Sequence, residues 1–490
     1  MEIDVRDERG PLWDWDALVQ AAGGELDGTP EQKVFGFSLD SREISQGDVF
    51  VALKDKRDGH DFVSNAFAVG AAGAIVDKQY ERKAGDGPLI RVADTLVALE
   101  GIGRAARARL DPEARVIAVT GSSGKTTTKD MLRAAFGRLG PTHAGDKSFN
   151  NHWGVPLTLA RMPADTRYGV FEIGMSHAGE ITPLTKLVRP HVAIVLNVLP
   201  AHLGNFTSEE EIADAKGEIF AGLEPDGVAI LNQDNPHFEQ LRGWAEASAG
   251  RILTFGDADG EPDAALIDCG RRARDGMEGQ RILAEFPSSD AVTYQISLAG
   301  RHIAENSLAA LLAVDALGGD VPSAAKGLAE LPALRGRGER SLLPLSRGTI
   351  LLIDESYNAN PASMAAAITT AGQARGDESS RLVLVLGDML ELGDKAEELH
   401  KALKETIDAA EADLVFACGP NMAALFYDLP ANMQGQWAAT SEGLRDPLLE
   451  TLQAGDIVMV KGSNGSAMVP LVGALKQHYA ALAGSVLTDR

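Results

Sequence analysis

The sequence predicts an α/β protein of three domains, in which the second and third domains are built on parallel sheets. The chain has 490 residues, and at roughly 150 residues per domain this length favours about three domains. Apolar runs alternate with helical patterns, as in parallel sheets covered by helices. One stretch, Val119–Asp130 (VTGSSGKTTTKD), joins a strand to a helix through the glycine-bearing turn of a P-loop. We therefore predict a mixed α/β N-terminal domain (1–112), a central P-loop ATPase-like domain (113–333) and a C-terminal Rossmann-like domain (334–490).

The composition predicts a cytoplasmic, soluble chain. Apolar residues make up 44%, and no apolar run approaches the ~18 residues of a membrane span. The charged N-terminus, MEIDVRDERG, does not resemble a signal peptide. The net charge of −24 disfavours nucleic acids and anionic membranes as partners. Cys269 and Cys418 are predicted to be free thiols, and a monomer is expected.

Residues 1–112 contain short strand-like runs at Val34–Phe37 and Val49–Leu53 and an Ala-rich helical stretch at Val63–Gly70. Between them lies a polar segment rich in turn residues, Ser38–Phe62. Composition alone favours a surface loop for this segment.

The central domain is predicted to begin where Asp111-Pro112 interrupts regular structure before a buried strand. Its predicted strands are Arg115–Thr120, Tyr168–Ile173, Val192–Val198, Val228–Leu231, Arg251–Phe255, Ala264–Ile267 and Val292–Leu298. Predicted helices are Thr126–Gly137, after the first strand, and Ile303–Leu317, at the end. This alternation predicts a parallel sheet with helices on both faces.

The P-loop stretch predicts phosphate binding. Gly121 and Gly124 allow a tight turn whose N–H groups face a phosphate, and the new helix adds its positive end. Lys125 reaches the outer phosphates, and the Thr126 hydroxyl is placed for Mg²⁺. Val119 stands where the longer form of the motif has a glycine.

The last domain has four predicted buried strands, three of them followed by helical patterns: Ile350–Ile353, Leu382–Leu386, Leu414–Ala417 and Ile457–Val460. The series predicts a doubly wound sheet that lacks the GxGxxG fingerprint.

Polar residues at the carboxyl ends of strands are candidates for ligand binding. Glu172 ends a strand beside the P-loop, and a carboxylate there can bind Mg²⁺. His202 follows the next strand, although a lone histidine is more often structural. Lys216 lies in an apparent helix, where a surface lysine is the ordinary interpretation. His302 and Asn306 share one helix face. An asparagine amide there can contact adenine, or it can have only a capping or helix-surface role.

Three strand ends of the last domain are also polar: Leu352–Met364, Leu386–Asp394 and Val460–Ser466. Together they predict a second ligand-binding face opposite the nucleotide. No Ser-His-Asp order, nucleophile elbow or zinc spacing offers a competing chemistry.

Six motifs resemble the ATP-dependent Mur ligases of bacterial cell-wall synthesis, over nearly the whole chain. They are NNHWGVPLTL (Asn150–Leu159), FEIGMSHAGEI (Phe171–Ile181), NVLPAHLGNF (Asn197–Phe206), AKGEIF (Ala215–Phe220), DESYNANPASM (Asp354–Met364) and LGDMLELG (Leu386–Gly393). The shortened TGSSGKT loop is this family's own form, which accounts for Val119. The YNANP form resembles the member that adds D-alanyl-D-alanine to UDP-N-acetylmuramoyl-tripeptide.

The resemblance implies an ADP-forming amide ligase that activates the tripeptide carboxylate as an acyl phosphate and yields the UDP-linked pentapeptide. The alternatives are another Mur ligase, a folylpolyglutamate synthase-like ligase, or an ATPase that does not ligate; a kinase would leave the polar face of the last domain unexplained. The third residue of the tripeptide stays open between meso-diaminopimelate and lysine.

The resemblance also implies roles for individual residues. The ATP phosphates would lie on Gly121, Ser122, Ser123, Gly124, Lys125, Thr126 and Thr127. Thr126 and Glu172 would hold one Mg²⁺, and Glu172, His202 and a carbamylated Lys216 would hold a second.

The adenosine side of the nucleotide would contact His302 and Asn306, and the ribose either Asp354 or Glu355. An arginine of the linker would reach the γ-phosphate: Arg337 is the first choice, with Arg335 and Arg340 as alternatives. Substrate contacts are implied for Ser41 and Arg42 (the uridine diphosphate), which displaces the surface-loop interpretation, and for Asn150, Asn151, Asn358, Asn360, Lys461 and Ser463.

Overall fold

The computed structural model describes residues 10–200, 203–274, 277–332, 335–345, 347–375 and 380–488. They form three β-sheets of five, nine and six strands, each covered by helices. The predicted α/β class with three successive units is confirmed. The predicted domain boundaries fall between the sheets, which lie within residues 25–92, 115–296 and 339–461.

The first sheet has the strand order β1-β5-β4-β3-β2 and is parallel except for β1. Its elements are α1 (Trp15–Ala22), β1 (Glu25–Asp27), β2 (Gly36–Ser38), β3 (Asp48–Val51), α2 (Val63–Ala68), β4 (Gly73–Asp77), β5 (Leu89–Val92) and α3 (Thr95–Ala108). Every residue of β3 is buried. The segment Ser38–Phe62 is therefore not wholly a surface loop, because it carries an internal strand of this sheet.

The second unit begins with β6 and ends with α10. Its elements are β6 (Arg115–Thr120), α4 (Lys125–Gly137), β7 (Thr142–Ala144), α5 (Gly154–Ala160), β8 (Tyr168–Glu172), α6 (Ile181–Val188), β9 (Val192–Val195), α7 (Glu209–Gly217), β10 (Val228–Asn232), α8 (Phe238–Glu246), β11 (Arg251–Asp257), β12 (Ala264–Arg274), β13 (Met277–Phe286), β14 (Ser289–Ile296), α9 (Arg301–Ala316) and α10 (Val321–Ala329).

This nine-stranded sheet is parallel from β7 through β12 and antiparallel from β12 to β14. The prediction of a parallel sheet is thus correct for the seven strands from β7 through β12, which include the strand that leads into the P-loop. The antiparallel extension was not predicted. Helix α9 packs its buried face over the sheet, within the same hydrophobic core as β6, β9 and β10. That packing brings His302 and Asn306 to the carboxyl ends of the parallel strands.

The third sheet has the order β15-β16-β20-β17-β18-β19, with β15 as an antiparallel edge. Its elements are β15 (Glu339–Pro344), β16 (Thr349–Glu355), α11 (Pro361–Gly372), β17 (Leu382–Gly387), α12 (Ala396–Lys401), α13 (Leu403–Ala409), β18 (Leu414–Cys418), α14 (Pro420–Asp428), β19 (Gln434–Ala438), α15 (Arg445–Thr451), β20 (Ile457–Lys461) and α16 (Met468–Thr488). Hydrophobic clusters lie on both faces. The arrangement is the doubly wound one that the sequence predicted.

Both cysteines are free thiols, as predicted; Cys418 is buried and Cys269 is half-buried. No helix in the described part of the chain is both long enough and apolar enough to cross a membrane.

Candidate nucleotide-binding site

The P-loop is the turn between β6 and α4. Gly124 precedes the helix with φ +83°, a left-handed conformation that suits glycine. A Cβ atom on Gly124 would also lie 2.6 Å from Nδ2 of Asn306. Both constraints require glycine here, and the close approach places the Asn306 amide directly beside the phosphate-binding turn.

Asn197, just beyond β9, holds the P-loop in shape. Its Oδ1 accepts a hydrogen bond from the Ser123 N–H (2.9 Å), and its Nδ2 donates to Ser123 O (3.2 Å). The Asn197 carbonyl accepts from the Ser122 N–H (3.0 Å). Lys125 Nζ donates to Gly121 O (2.7 Å), so the lysine lies across the loop. Burial lowers the pKa of Lys125, and the charge of Glu172 opposes that shift.

Glu172, at the end of β8, lies within a cluster of side-chain donors. Its Oε2 accepts from Thr126 Oγ1 (2.8 Å). Its Oε1 accepts from Ser148 Oγ (2.8 Å) and Asn150 Nδ2 (2.7 Å). The residue is only 4% exposed. A buried carboxylate and a hydroxyl from two different elements thus meet directly beside the P-loop.

Lys216 lies on α7 and is only 2% exposed, so the ordinary interpretation of a surface lysine is wrong. Among the described residues nothing forms a hydrogen bond or an ion pair with its ammonium group. Burial, followed by the nearby charge of Lys125, lowers the pKa of Lys216 well below its usual value. Burial thus favours the neutral amine over the ammonium form. His202 lies outside the described residues.

A cavity of about 540 Å³ opens between the P-loop and the last domain. On the central side it is lined by Ser122, Ser123, Gly124, Lys125, Thr126, Thr127, Ser148, Asn150, Glu172, His302 and Asn306. From the last domain and its linker it is lined by Arg337, Glu355, Tyr357, Asn358, Asn360 and Lys461. Most of the residues predicted for ATP therefore share one cavity with several predicted for the peptide.

The two acids proposed for the ribose differ in position. Asp354 is fully buried, and its carboxylate accepts hydrogen bonds from the N–H groups of Gly336 (3.2 Å) and Ser356 (3.1 Å). Glu355 lines the cavity and lies 3.6 Å from Lys461 Nζ. Burial raises the pKa of Glu355 and lowers that of Lys461. Only Glu355 thus faces the space that a ligand could enter.

Among the three linker arginines, Arg337 lines the cavity, whereas Arg335 and Arg340 do not. Its guanidinium stacks 4.1 Å from the ring centroid of Tyr357, which limits its freedom. The charge of Arg337 also acts on Lys125 and lowers its pKa. The arginine and the P-loop lysine therefore face the same space.

Several polar side chains of the last domain have structural partners. Asn360 caps α11 by accepting the Ser363 N–H (2.8 Å). Ser463 Oγ accepts the Leu390 N–H (2.9 Å) and donates to Ala359 O (3.1 Å). Lys461 Nζ donates to Asn358 O (2.9 Å). These bonds fix the shape of the YNANP loop.

In the first domain, Ser41 and Arg42 lie in the turn between β2 and β3, outside the cavity. Both oxygens of Asp40 bind Arg42, which remains 86% exposed. That pairing lowers the pKa of Asp40 to about 2. Asn151 Oδ1 accepts the N–H of Gly154 (2.9 Å) at the start of α5.

Sequence reasoning missed three sets of residues at this site. Asn197 was quoted only within a motif, although a polar residue just beyond a strand was itself a signal. The same signal marked Asn232, which ends β10, and Asp234 and Asn235, which follow it; all three line the cavity. Ser148 carried no signal, because it lies in a polar loop 24 residues before the carboxylate that it contacts.

The donor set fits Mg²⁺, which prefers oxygen ligands and often takes only one or two from the protein. Thr126 and Glu172 supply a hydroxyl and a carboxylate next to the phosphate-binding turn. Among the described residues there is no cluster of three or more His, Cys, Asp or Glu side chains that could hold a metal by itself. Nucleotide phosphates and water would complete the coordination.

The fold and the cavity define a P-loop protein with a cavity between two α/β domains. Residues 119–314 match the Mur ligase middle domain, and residues 342–464 match the Mur ligase glutamate ligase domain. The UDP-N-acetylmuramoyl-tripeptide–D-alanyl-D-alanine ligase of Escherichia coli K12 is 35% identical, covering 94% of this chain and 98% of that protein. The chain belongs to the Mur ligase family.

Solved structures agree over most of the length of the chain. MurF from Acinetobacter baumannii matches with a TM-score of 0.80 and 31% identity, covering 96% of this chain and 100% of that one. MurF from Thermotoga maritima in complex with ADP matches with a TM-score of 0.73 and 27% identity, covering 91% and 98%. The three-domain architecture of those structures is therefore also the architecture of this chain.

Proposed function

We propose that this chain is an ATP-dependent ligase that joins D-alanyl-D-alanine to UDP-N-acetylmuramoyl-tripeptide. One observation carries the proposal: the P-loop side chains and the YNANP loop line the same cavity. A ligase needs this arrangement, because the phosphorylated carboxylate and the incoming amine must meet away from water. The relative from Escherichia coli bears this activity in its name, and a similar structure binds ADP.

The proposed reaction has two steps. The terminal carboxylate of the tripeptide attacks the γ-phosphorus of ATP, which forms an acyl phosphate and releases ADP. The amine of D-alanyl-D-alanine then attacks the acyl carbon and loses a proton, and inorganic phosphate leaves from the tetrahedral intermediate. Lys125, the P-loop N–H groups and Arg337 would stabilise the charge that develops during phosphoryl transfer.

Thr126 and Glu172 would hold a magnesium ion. When bound, this ion would neutralise phosphate charge and orient the outer phosphates. A second magnesium site would use Glu172, His202 and a carbamate on Lys216. Lys216 is buried and has no partner among the described residues, and burial lowers its pKa. Both observations support the carbamate, because a neutral amine can add to CO₂ and lose a proton to become an oxygen-bearing anion.

The outer domains, together with two residues of the central domain, would bind the two peptide substrates. Ser41 and Arg42 are proposed for the uridine diphosphate, and Asn150 and Asn151 for the body of that substrate. Asn358, Asn360, Lys461 and Ser463 are proposed for the peptide ends; because Asn360 and Ser463 also hold the loop together, they would act mainly by shaping it.

The other proposed roles follow the same assignment. His302 and Asn306 would contact adenosine, and Glu355, rather than the internally bonded Asp354, would contact the ribose. The domain boundaries at 112/113 and 333/334, a monomeric state and a cytoplasmic location also belong to the proposal.

Phosphate release tests the proposal. We expect release only when ATP, a UDP-N-acetylmuramoyl-tripeptide and D-alanyl-D-alanine are all present. Running the assay with the meso-diaminopimelate and the lysine tripeptides, with D-alanyl-D-alanine added or withheld, also identifies the third residue. Release that is unchanged without D-alanyl-D-alanine would indicate a non-ligating ATPase and contradict the proposal.

A further inference from the structure

The segment Gly145–Asn150 connects β7 to α5 and passes beside the P-loop. Both of its ends are attached to the central domain. Lys129 Nζ donates to Gly145 O (2.5 Å) at one end. At the other end, the Gly174 N–H donates to Asn150 O (2.8 Å). The segment therefore bridges helix α4 and the end of strand β8, the two elements that supply Thr126 and Glu172.

Lys129 makes the first attachment strong. Its side chain is only 2% exposed, and its ammonium group lies 3.1 Å from Asp130 in addition to its bond with Gly145 O. A buried charge is tolerated only where acceptors reach it. Loss of the Gly145 contact would therefore be costly, and the segment follows α4 closely.

Ser148 lies in the middle of this segment and contacts both predicted magnesium ligands. Its Oγ donates to Glu172 Oε1 (2.8 Å) and accepts from Thr126 Oγ1 (3.2 Å). Asn150 Nδ2 also donates to the same hydroxyl (3.0 Å). One hydroxyl thus links the carboxylate, the P-loop threonine and the neighbouring amide.

We propose that Ser148 is a positioning residue of the magnesium–nucleotide site. It holds the Glu172 carboxylate beside Thr126, so that both oxygens stay oriented before a metal arrives. Without the hydroxyl, Glu172 keeps only Thr126 and Asn150 as donors, and Asn150 loses one of its own acceptors. The inference rests on the nucleotide site of the proposed function and not on the identity of the peptide substrates.

The test measures binding of ADP to the full-length protein by calorimetry, once with Mg²⁺ and once with EDTA. For Ser148→Ala we expect ADP affinity to fall on the order of 10-fold with Mg²⁺, as for other residues that orient a metal ligand, and to stay within about twofold of wild type in EDTA. Ser148→Thr should regain most of the loss. Binding of Mn²⁺ can be measured in a titration from the EPR signal of the free ion. Its affinity should follow the same order: wild type, then Ser148→Thr, then Ser148→Ala.

Ser64→Ala is the matched control. Ser64 Oγ donates to Asp86 Oδ1 at the same 2.8 Å, but in the first domain. The Ser64→Ala variant should bind ADP with wild-type affinity, both with Mg²⁺ and with EDTA.

Three results would overturn the inference: an unchanged magnesium dependence in Ser148→Ala, an equal loss with and without Mg²⁺, or the same effect from Ser64→Ala. Failure of the proposed function gives a different pattern, because wild-type protein would then form no ligated product while the effect of Ser148 on magnesium–ADP binding persisted.

Discussion

Two carboxylates stand at corresponding places in two sheets and have different neighbours. Glu172 ends β8 of the central sheet, and Asp388 follows β17 of the last one. Glu172 accepts hydrogen bonds from three side chains and lines the cavity. Asp388 accepts the backbone N–H groups of Met422 (2.7 Å) and Asn421 (3.2 Å) at the start of α14, together with the side-chain amide of Asn421 (3.2 Å), and it does not line the cavity.

The backbone donors distinguish Asp388 from Glu172. Side-chain hydroxyls and amides can turn toward a new partner when a ligand arrives, whereas the N–H groups of a helix terminus cannot. Gly419 makes the second arrangement possible, because it has φ +101° and a Cβ there would lie 2.3 Å from Cγ of Asp388. A strand-end carboxylate whose acceptor sites are occupied by the N–H groups of a helix terminus, such as Asp388, is therefore a weaker candidate for ligand binding than Glu172.

The largest expected effect is on the rate of ligation, and it concerns Lys125 of the P-loop, at the same site as Glu172. Lys125→Ala should lower the rate of ligation by at least about 10³-fold, because it removes a preorganised charge from the phosphoryl transfer. ADP formation in the presence of both peptide substrates measures it. Lys326→Ala, on the exposed face of α10, is the control. Near-normal ADP release that still depends on both peptides would show the mechanism to be wrong.

Glu172→Gln should have the second-largest effect. It keeps the size of the side chain but removes the negative charge, and we expect kcat to fall roughly 10²-fold with a higher magnesium requirement. The thermal midpoint should change little, because the surrounding hydroxyls can reorient toward an amide. A variant with normal magnesium dependence would contradict the assignment of Glu172 as a metal ligand.

Asp388→Ala should instead lower stability. It leaves the first N–H groups of α14 without their acceptor, which costs about 1–3 kcal/mol of unfolding free energy. Urea unfolding, followed by signals from the last domain, measures it. The affinity of the folded protein for magnesium–ADP should stay within about twofold of wild type. A strong loss of nucleotide affinity without a loss of stability would indicate that Asp388 belongs to the ligand site. It would contradict the distinction drawn between Asp388 and Glu172.

Acid should weaken the region around Asp388 through His400. This histidine is fully buried; its Nε2 accepts the Met389 N–H (2.9 Å), and its Nδ1 faces Ala396 O (2.6 Å). Burial lowers the pKa of His400 below its ordinary value. As the pH falls, His400 is therefore protonated at a higher pH in the unfolded chain than in the folded protein. Stability is lost as the pH falls below about 6.5, the ordinary pKa of histidine.

Comparison with His400→Gln isolates this effect, since glutamine can accept the same N–H and does not titrate. Between pH 7 and 5, wild type should lose unfolding free energy relative to the variant. A difference that is constant across this range would show that His400 does not titrate differently on folding.

Most of the strands and helices could be predicted from the sequence. The side-chain contacts that distinguish residues of the candidate site from structural residues could not. Buried strands such as β6, β9, β17 and β20 are nearly continuous apolar runs, so the parallel sheets could be predicted. The strand β13 reads EGQRILAE, with too little alternation to stand out, and its pairing depends on hydrogen bonds to two neighbours. The antiparallel extension was missed for this reason.

The residues of the candidate site also divide into those that could be predicted from the sequence and those that could not. Motif positions such as Lys125 and Glu172 could be found, because their chemistry requires a fixed place along the chain. Ser148, the burial of Lys216 and the internal bonding of Asp388 could not, because each depends on which residues meet across 24 or more positions in the folded chain.

The smallest expected effect concerns an ionic contact that solvent reaches. Lys147 Nζ lies 2.6 Å from both carboxylate oxygens of Glu43, and this pair links the central domain to the first. Both side chains are more than half exposed (57% and 54%), so water and salt screen their attraction. Lys147→Met should therefore change the unfolding free energy by less than about 0.5 kcal/mol, and Glu43→Gln should add nothing in the double variant. Urea unfolding at low and high salt measures this, and a loss comparable to that of Asp388→Ala would show that short distance matters more than burial in this protein.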